Sequence, residues 1–538
     1  MSRRSFWLLL TFAGLLVLAG VGVGIALLVA GDGDGSGGGG RSAREGGTLR
    51  MGVVGVASLD PAQADPTEPM VADLLFDTLV TYDRETLEVL PGLAGRWEAS
   101  FDQKAFTFEL REDVAFHDGT PITAADVKAT LDRIAAPRST SDYRFLLEIV
   151  AGYEEYHADG TADDLDGVQV VDERTLTIQL ESAFSLFPSV LGNPGFGVVP
   201  AAAAGRADFA TEPVGSGPLR YVGRDGETIH LERFDAYAPD PTHLDGLDLV
   251  AFDNPTDAYD ALVGGDVDLA QVPADKVREA ADRFGDEGFS SYVLGTVFYG
   301  MNLSVPEFED VRMREAVVAA VDRSRVVDLA YAGAADLANG FVPEGIPEGI
   351  EDPCGDRCRY DPPRARRLVK EAFPDGNIPE IAIDFDNDAT QRLVAASIRS
   401  DLEAVGIPAR LRPHEFAEYG PFLVTGDPEL FRLGWTADYP SADAFLVPMF
   451  ESTQRDNLTK LTVREIDQLL AEARREQNTG QRTSLYRQAE QLVLDQFPLI
   501  PIAQFTNRWA ASDAIEGLTI TSLGTFDVTA VFLDHAAP

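Results

Sequence analysis

The chain has few basic residues for its length. Its 538 residues include 44 Lys and Arg against 88 Asp and Glu, which gives a formal net charge of −44. Nucleic-acid binding needs clustered basic groups that neutralise phosphates, and adsorption to anionic lipid needs them as well. The composition therefore argues against both kinds of partner. Hydrophobic residues make up 45% of the chain, which is enough for a large folded core.

Cysteine is also scarce. The two cysteines, Cys354 and Cys358, stand close together in the segment PCGDRC. Two ligands without a nearby histidine are too few for a zinc site, so the sequence predicts no metal centre. In an oxidising compartment the simplest expectation is a local disulfide between them.

The familiar catalytic motifs are missing. The six histidines are scattered, and no zinc-protease, nucleotide-binding or dinucleotide-binding motif is found. Gly215-Ser216-Gly217 lacks the spacing of a nucleophile elbow, and Pro218 would break the helix that an elbow needs. The sequence predicts a protein that is not an enzyme and that uses no cofactor. A secreted hydrolase is an alternative that these motifs do not favour.

One long apolar run lies near the N-terminus. Residues 6–30 contain no charge, and as a helix they would extend for about 37 Å, enough to cross a bilayer. Arg3 and Arg4 precede the run, so residues 1–5 are predicted to be cytoplasmic and the globular part extracytoplasmic. An uncleaved transmembrane anchor is the favoured interpretation, and a cleaved signal peptide is the alternative. Residues 31–47 are a glycine-rich linker.

Helical and strand patterns alternate along the rest of the chain. Residues 106–110 alternate as a half-exposed strand does, and residues 123–134 form an amphipathic helix with Thr123 as its N-cap. The pattern predicts an α/β fold with parallel sheets and no repeat architecture. Further helices are predicted at 70–80, 257–262, 310–332, 363–373, 390–405, 463–477 and 481–495. Further strands are predicted at 48–57, 176–180, 229–233, 267–270, 380–385 and 409–412.

Seven motifs, in order and at consistent spacing, resemble those of a known family. They are LDP followed by LFDTL (59–61, 75–79), PGLA (91–94), WEAS with FTFELR (97–100, 106–111), VAFHDGTP with TAADV (114–121, 123–127), PVGSGP (213–218), NLSVPEFEDVRMREAVVAAVDR (302–323) and GWTADYP (434–440). The resemblance is to the family 5 extracytoplasmic solute-binding proteins of ABC importers, the oligopeptide- and dipeptide-binding family. It extends over nearly all of residues 48–538.

The resemblance implies a periplasmic-binding-protein-like fold with two lobes and a hinge, of the large, type II-like class. Residues 48–81, 212–299 and 500–538 are expected to form lobe I, and 300–499 lobe II. Residues 82–211 are expected to form an extra subdomain in lobe I. The crossing at Met301–Asn302 and the return at 499–505 should be the hinge strands.

The resemblance also implies a peptide site. The family's Gly-Trp-x-x-Asp acid, which receives the ligand's α-amino group, corresponds to Asp438. Arg432 resembles a position that meets a ligand carboxylate in some members. Trp435 is equally well interpreted as a core aromatic, and the segment 65–69 as an ordinary surface loop. The other expected ligand-binding residues are Gly434, Tyr439, Phe416, Asp65, Glu68, Tyr299, Asn302 and Phe505.

The implied function is transport. The expected protein is a monomer, held at the cell membrane by residues 6–30, that binds short peptides and delivers them to permease subunits. A receptor for a metal chelate, an oligosaccharide or an opine is the alternative within the family. A membrane-tethered ligand sensor is the alternative outside it. His117-Asp118-Gly119, although part of a family motif, is predicted to be a structural turn.

Overall fold

The computed structural model describes residues 46–63, 69–203, 205–206, 208–238, 241–285, 290–331 and 333–534. The apolar run at 6–30, all but the last two residues of the linker, and the predicted site residues Asp65 and Glu68 lie outside the described residues. Within the ranges just given, none of the helices has the length and apolar character that a bilayer span requires.

Strands account for much of the described chain and are numbered here in chain order. The strands are β1 (Thr48–Val54), β2 (Val80–Tyr82), β3 (Val89–Pro91), β4 (Ala94–Ala99), β5 (Ala105–Leu110), β6 (Val168–Val170), β7 (Thr175–Gln179), β8 (Leu219–Asp225), β9 (Thr228–Arg233), β10 (Gly246–Phe252), β11 (Leu269–Gln271), β12 (Ser290–Met301), β13 (Ala335–Leu337), β14 (Ile381–Asp386), β15 (Ala409–His414), β16 (Leu430–Thr436), β17 (Leu499–Ala511), β18 (Ile515–Glu516) and β19 (Phe532–Leu533).

The α-helices lie between these strands and follow the same numbering scheme. They are α1 (Met70–Leu75), α2 (Ala124–Ala135), α3 (Phe187–Val190), α4 (Pro255–Gly264), α5 (Val277–Phe284), α6 (Pro306–Glu309), α7 (Val311–Ala320), α8 (Arg323–Tyr331), α9 (Pro362–Ala372), α10 (Ala389–Ala404), α11 (Phe416–Thr425), α12 (Asp443–Phe450), α13 (Arg464–Arg475) and α14 (Thr479–Asp495).

An eleven-stranded mixed sheet connects the two lobes of this α/β fold. Its order is β15-β14-β16-β12-β17-β11-β1-β10-β9-β8, and β13 pairs with β17 outside this path. Parallel strands lie in both halves, β10-β1-β11 in one and β15-β14-β16 in the other. The long central strands β12 and β17 are antiparallel to each other and join the halves. The sequence predicts parallel sheets, and the structure has parallel pairs in these two groups of strands, whereas the β12–β17 pair at the centre and the β8-β9-β10 edge are antiparallel.

A separate four-stranded antiparallel sheet, β4-β5-β7-β6, lies within residues 94–179. In β5 buried residues alternate with half-buried ones, as the sequence pattern predicts. Phe106 and Phe108 share a core with Val127 and Leu131 of α2. The α2 N-terminus is fixed by a capping box in which Thr123 and Asp126 bind each other's backbone N–H groups.

The region predicted as an extra subdomain of lobe I also contacts the second lobe. The largest apolar cluster contains buried residues of the four-stranded sheet together with residues of α12, α13 and α14. The Phe184 and Tyr439 rings lie 6.0 Å apart. The Arg474 guanidinium lies 4.4 Å from the centre of the Phe184 ring, and the Ser185 N–H donates to the Arg474 carbonyl at 2.7 Å. The predicted domain boundaries remain predictions.

Two predicted helices have different ends in the structure. The helix expected at 70–80 ends at Leu75, because the Leu75 carbonyl accepts the N–H groups of Ser216 and Gly217 at 3.0 and 2.9 Å. A Cβ at Gly215 would lie 1.9 Å from that carbonyl oxygen, so only glycine fits. The helix expected at 310–332 is divided at Val321 into α7 and α8.

His117 and the two cysteines have structural surroundings. One His117 ring nitrogen accepts the Gly215 N–H at 3.2 Å, and the other lies 3.0 Å from the Gly217 carbonyl, to which it can donate. Burial lowers the pKa of His117 to about 4, so the ring is neutral near pH 7. These contacts agree with the structural role expected for the His117 turn. Cys354 and Cys358 are joined in a disulfide, and both are buried.

Candidate ligand-binding site

A cavity of about 250 Å³ lies where the two halves of the large sheet meet. One side is formed by the C-terminal half of β1 and the start of α1, and the other by residues 436–438 at the end of β16. The central strands β12 and β17 contribute to its floor. Its lining includes Met51, Gly52, Val53, Val54, Pro69, Met70, Val71, Tyr82, Tyr143, Asn193, Gln271, Val293, Leu294, Thr436, Ala437, Asp438, Asn507, Trp509 and Leu523.

Asp438 is held at the cavity by its backbone. Strand β16 lies between β12 and β14 and ends at Thr436, after which the Ala437 N–H donates to the Leu294 carbonyl at 2.8 Å. The Asn193 side-chain amide then donates to the Asp438 carbonyl at 2.7 Å. The half-buried Asp438 is therefore fixed by the central strand β12 and by Asn193.

The part of the cavity lining that the structure describes carries one formal charge. Of the described lining residues, only Asp438 is acidic, and none is Lys, Arg or His. Burial raises the pKa of Tyr82, and the negative charge of Asp438 raises it further. A single carboxylate in an otherwise neutral cavity can bind one cationic group and leaves no fixed partner there for an anion.

Neutral polar groups on the central strands complete the cavity. The Gln271 side-chain amide donates to the Asn507 side-chain carbonyl at 2.8 Å. The Trp509 indole N–H is buried and has no hydrogen-bond partner in the structure. The sequence prediction missed Gln271, Asn507, Trp509, Asn193 and Tyr82, because they lie on segments far apart in the chain that only the folded structure brings to one cavity.

Several predicted site residues lie in the core instead. The Trp435 indole N–H donates to the Ala444 carbonyl at 2.6 Å, and the Tyr439 hydroxyl donates to the Asp443 carboxylate at 2.7 Å. Both residues are buried in the largest apolar cluster. In this structure Trp435 is therefore a core aromatic residue, which is one of its two predicted interpretations. Gly434 pairs with Val297 within the sheet.

Arg432 is buried inside the second lobe. It lies four residues before Thr436, about 13 Å along the strand, and both Arg432 and Asp386 are 1% exposed. The Arg432 guanidinium is 3.5 Å from the Asp386 carboxylate. The Tyr299 side chain is buried close by, and burial raises its pKa well above the usual value. Neither Arg432 nor Tyr299 lines the described cavity.

The other three described site candidates also lie away from the cavity lining. The Phe505 ring is 5.4 Å from the Tyr331 ring, and the Asn302 amide donates to the Pro428 carbonyl at 2.9 Å. Phe416 is 37% exposed at the first position of α11. Of the predicted set within the described residues, the structure brings only Asp438 to the cavity.

A second cavity, of about 520 Å³, lies behind Tyr82. It is lined by residues of α1, the β2–β3 hairpin, and segments near Tyr237 and Asp527. Its described lining includes no residue between 300 and 499. The smaller cavity, which both halves of the sheet line, is the better candidate for a ligand site.

A two-lobed α/β fold with a cavity between its lobes is typical of solute-binding proteins. The chain matches the profile of the bacterial extracellular solute-binding proteins, family 5, over residues 88–457. This match covers more than half of the chain, so the protein belongs to that family, as the resemblance predicted. Members of this family act as binding components of ABC importers.

Similar proteins differ in the ligand that their names state. The chain is 26% identical to the dipeptide-binding protein DppE of Bacillus subtilis in an alignment of length 458 that covers 81% of this chain and 83% of DppE. It is 27% identical to heme-binding protein A of Haemophilus influenzae, with coverage of 84% and 85%. The unliganded open form of the periplasmic murein tripeptide binding protein MppA superposes with a TM-score of 0.81 at 23% identity, covering 92% of this chain and all of that one. A second solved structure of MppA, from Escherichia coli, is also similar. These relatives are solute-binding proteins, and the structural match establishes the shared fold.

Proposed function

We propose that this protein binds short peptides outside the cytoplasm and delivers them to the permease of an ABC importer. The observation that carries this proposal is the position of Asp438, the single formal charge on the described lining of the interlobe cavity. A carboxylate held in a largely apolar cavity suits the α-ammonium group of a peptide, and such a charge-assisted bond contributes roughly 1.5–3 kcal/mol.

The neutral groups around Asp438 suit a peptide backbone. Gln271, Asn507 and Trp509 offer amide and indole groups beside apolar side chains such as Met51 and Leu523. Hydrogen bonds to the backbone together with apolar contacts allow varied side chains to bind. A metal chelate or a sugar would form fewer favourable contacts here, since the described lining has one carboxylate and is mostly apolar. The relative named for dipeptides supports the same choice.

Closure of the lobes around β12 and β17 is part of the proposal. These two strands carry the sheet from one lobe to the other and also line the cavity, so a change in their twist would move the cavity walls together. The proposed boundaries place residues 300–499 in the moving second lobe. The other predicted site residues would contact the ligand only if closure exposed them to it.

The proposed location is the outer face of the cell membrane. The uncharged run at 6–30, preceded by Arg3 and Arg4, supports a single-pass anchor with the globular part outside. The glycine-rich segment 31–47 would hold the globular part about 20–25 Å from the membrane. The receptor is proposed to be a monomer.

The central test is peptide binding by an Asp438→Asn variant, which keeps the size of the side chain and removes its charge. Isothermal titration with a mixture of free tripeptides should show binding by the wild type and a loss of affinity of roughly tenfold to a hundredfold in the variant. Glu98→Gln, at an exposed site on β4, removes the same charge elsewhere and should bind as the wild type does. Equal binding by the Asp438→Asn variant would refute the role of Asp438.

A further inference from the structure

Asp438 lies in a short loop, residues 437–442, that leads from β16 to α12. Two hydrogen bonds hold the start of this loop. The Ala437 N–H donates to the Leu294 carbonyl at 2.8 Å, and the Asp438 carbonyl accepts the Asn193 amide at 2.7 Å. Neither bond restrains the loop after Asp438, so the position of its side chain also depends on how the second half of the loop is held.

The second half of the loop contacts a buried carboxylate. The Glu348 side chain accepts the Ala442 N–H at 3.2 Å and the Ser441 hydroxyl at 3.4 Å. Glu348 is only 5% exposed, so these bonds replace water at a group that is costly to bury. One side chain from a distant part of the sequence thus binds two successive residues of the loop.

Glu348 belongs to a segment, residues 344–348, that is itself fixed at both ends. At one end the Gln504 side chain on β17 pairs with the main chain of Glu344, accepting its N–H at 3.1 Å and donating to its carbonyl at 2.8 Å. At the other end the Arg487 guanidinium on α14 donates to the Glu348 carbonyl at 2.9 Å. The segment is therefore held against a central strand and a long helix, and it gives the Glu348 carboxylate a fixed base.

The start of α12 is held by a different network. Asp443, its first residue, accepts the Arg474 guanidinium at 2.9 Å and the Tyr486 hydroxyl at 2.7 Å. Because these bonds fix α12 without Glu348, loss of the Glu348 contacts should free the loop before the helix more than the helix itself.

From these contacts we propose that Glu348 is a positioning residue for the ligand site, whose carboxylate holds the 437–442 loop so that Asp438 is presented to the cavity. Glu348 is not among the residues that line the described cavity, so it acts through Asp438. This inference rests on the proposed function, because the residue that Glu348 positions is the proposed peptide-binding acid.

The experiment is a double-mutant cycle of Glu348→Ala and Asp438→Asn, measured on the full chain in detergent by isothermal titration with a mixture of free tripeptides. Glu348→Ala alone should weaken binding about tenfold, because Asp438 loses its fixed position. In the Asp438→Asn background the same change should weaken binding by less than about twofold, because the charge that Glu348 positions is already absent.

Two further variants serve as controls. Glu348→Gln can still accept the Ala442 N–H and can donate to the Ser441 oxygen, so it should bind within about threefold of the wild type. Glu351→Ala removes a carboxylate from an exposed position three residues along the chain and should bind as the wild type does. If urea unfolding shows that Glu348→Ala does not fold, Glu348→Asp takes its place in the cycle, since it keeps the charge but shortens the side chain that reaches the loop.

The possible results separate this inference from the proposed function. Equal factors of loss in the wild-type and Asp438→Asn backgrounds would show that Glu348 acts independently of Asp438, and the inference would be overturned while peptide binding stands. Unchanged binding by folded Glu348→Ala would overturn it as well. No tripeptide binding by the wild type would overturn the proposed function itself.

Discussion

At the scale of single residues, burial decides whether a polar side chain serves structure or binding. Trp435 lies in the same short motif as Asp438, and Arg432 lies just before it. The Trp435 indole N–H nevertheless donates to the Ala444 carbonyl, and Arg432 is buried beside Asp386. Asp438 follows the end of β16 and therefore reaches the cavity. The motif could be read from the sequence, but the division of roles among its residues depends on which of them are enclosed by neighbouring elements.

Glu490 provides a prediction about stability and pH at this scale. Its side chain is 2% exposed and accepts the N–H groups of Phe341 and Val342 at 3.1 and 2.9 Å. Burial raises its pKa to about 7. Because the folded state holds this proton more tightly than the unfolded state, the free energy of unfolding should fall as the pH rises from about 4.5 to about 7.

The matching variant is Glu490→Gln, whose amide oxygen can accept the same two N–H groups without a charge. In urea unfolding, the wild type should lose stability relative to this variant by up to ~1.4 kcal/mol for each pH unit in that window. The exposed Glu98→Gln variant should follow the wild type. If the stability of the wild type and of Glu490→Gln changed with pH in the same way, the raised pKa of Glu490 would be wrong.

At the scale of elements, local signals fixed helix starts better than helix ends. Thr123 and Asp126 form the expected capping box because both bonds are made within one turn. The end of α1 depends instead on residues distant in sequence: the N–H groups of Ser216 and Gly217 donate to the Leu75 carbonyl, and Gly215 leaves room for that approach. The apolar pattern of residues 70–80 continues beyond Leu75, and nothing in the local sequence marks the end of the helix there.

A Thr123→Ala substitution tests the importance of the cap. It removes the hydroxyl that accepts the Asp126 N–H, so the stability to urea should fall by about 1 kcal/mol. Thr161→Ala, at an exposed loop position, should have an effect within about 0.5 kcal/mol. If both variants unfold at the same urea concentration, the cap does not contribute to the stability of the fold.

At the scale of the whole molecule, the amino-acid composition restricts the kinds of macromolecular partner more than it restricts the ligand. The net charge of −44 excludes polyanion binding but says nothing about the cavity, which has one carboxylate on its described lining. The four-stranded sheet and helices α12–α14 share one apolar core, so residues 94–179 also contact residues 443–495 away from the central strands.

The proposed anchor gives a prediction at this scale. The full chain expressed in a bacterial host should stay with the membrane after a high-salt wash, because 25 uncharged residues hold it there by the hydrophobic effect. A variant that carries a cleavable signal peptide in place of residues 1–45 should be released in soluble form. Recovery of the wild type as a soluble protein whose N-terminus lies beyond residue 30 would contradict the anchor.

The sequence by itself determined the family and the α/β class, because these depend on motifs and patterns whose residues are close together in the chain. The binding role of Asp438, inferred from one of those motifs, stays a prediction. Only the tertiary structure decided that Trp509, Asn193 and Tyr82 line the same cavity as Asp438, and that Arg432 is paired inside a lobe. The physical reason is that strands β1, β16 and β17 are far apart in sequence and meet through sheet register, which a local pattern does not encode.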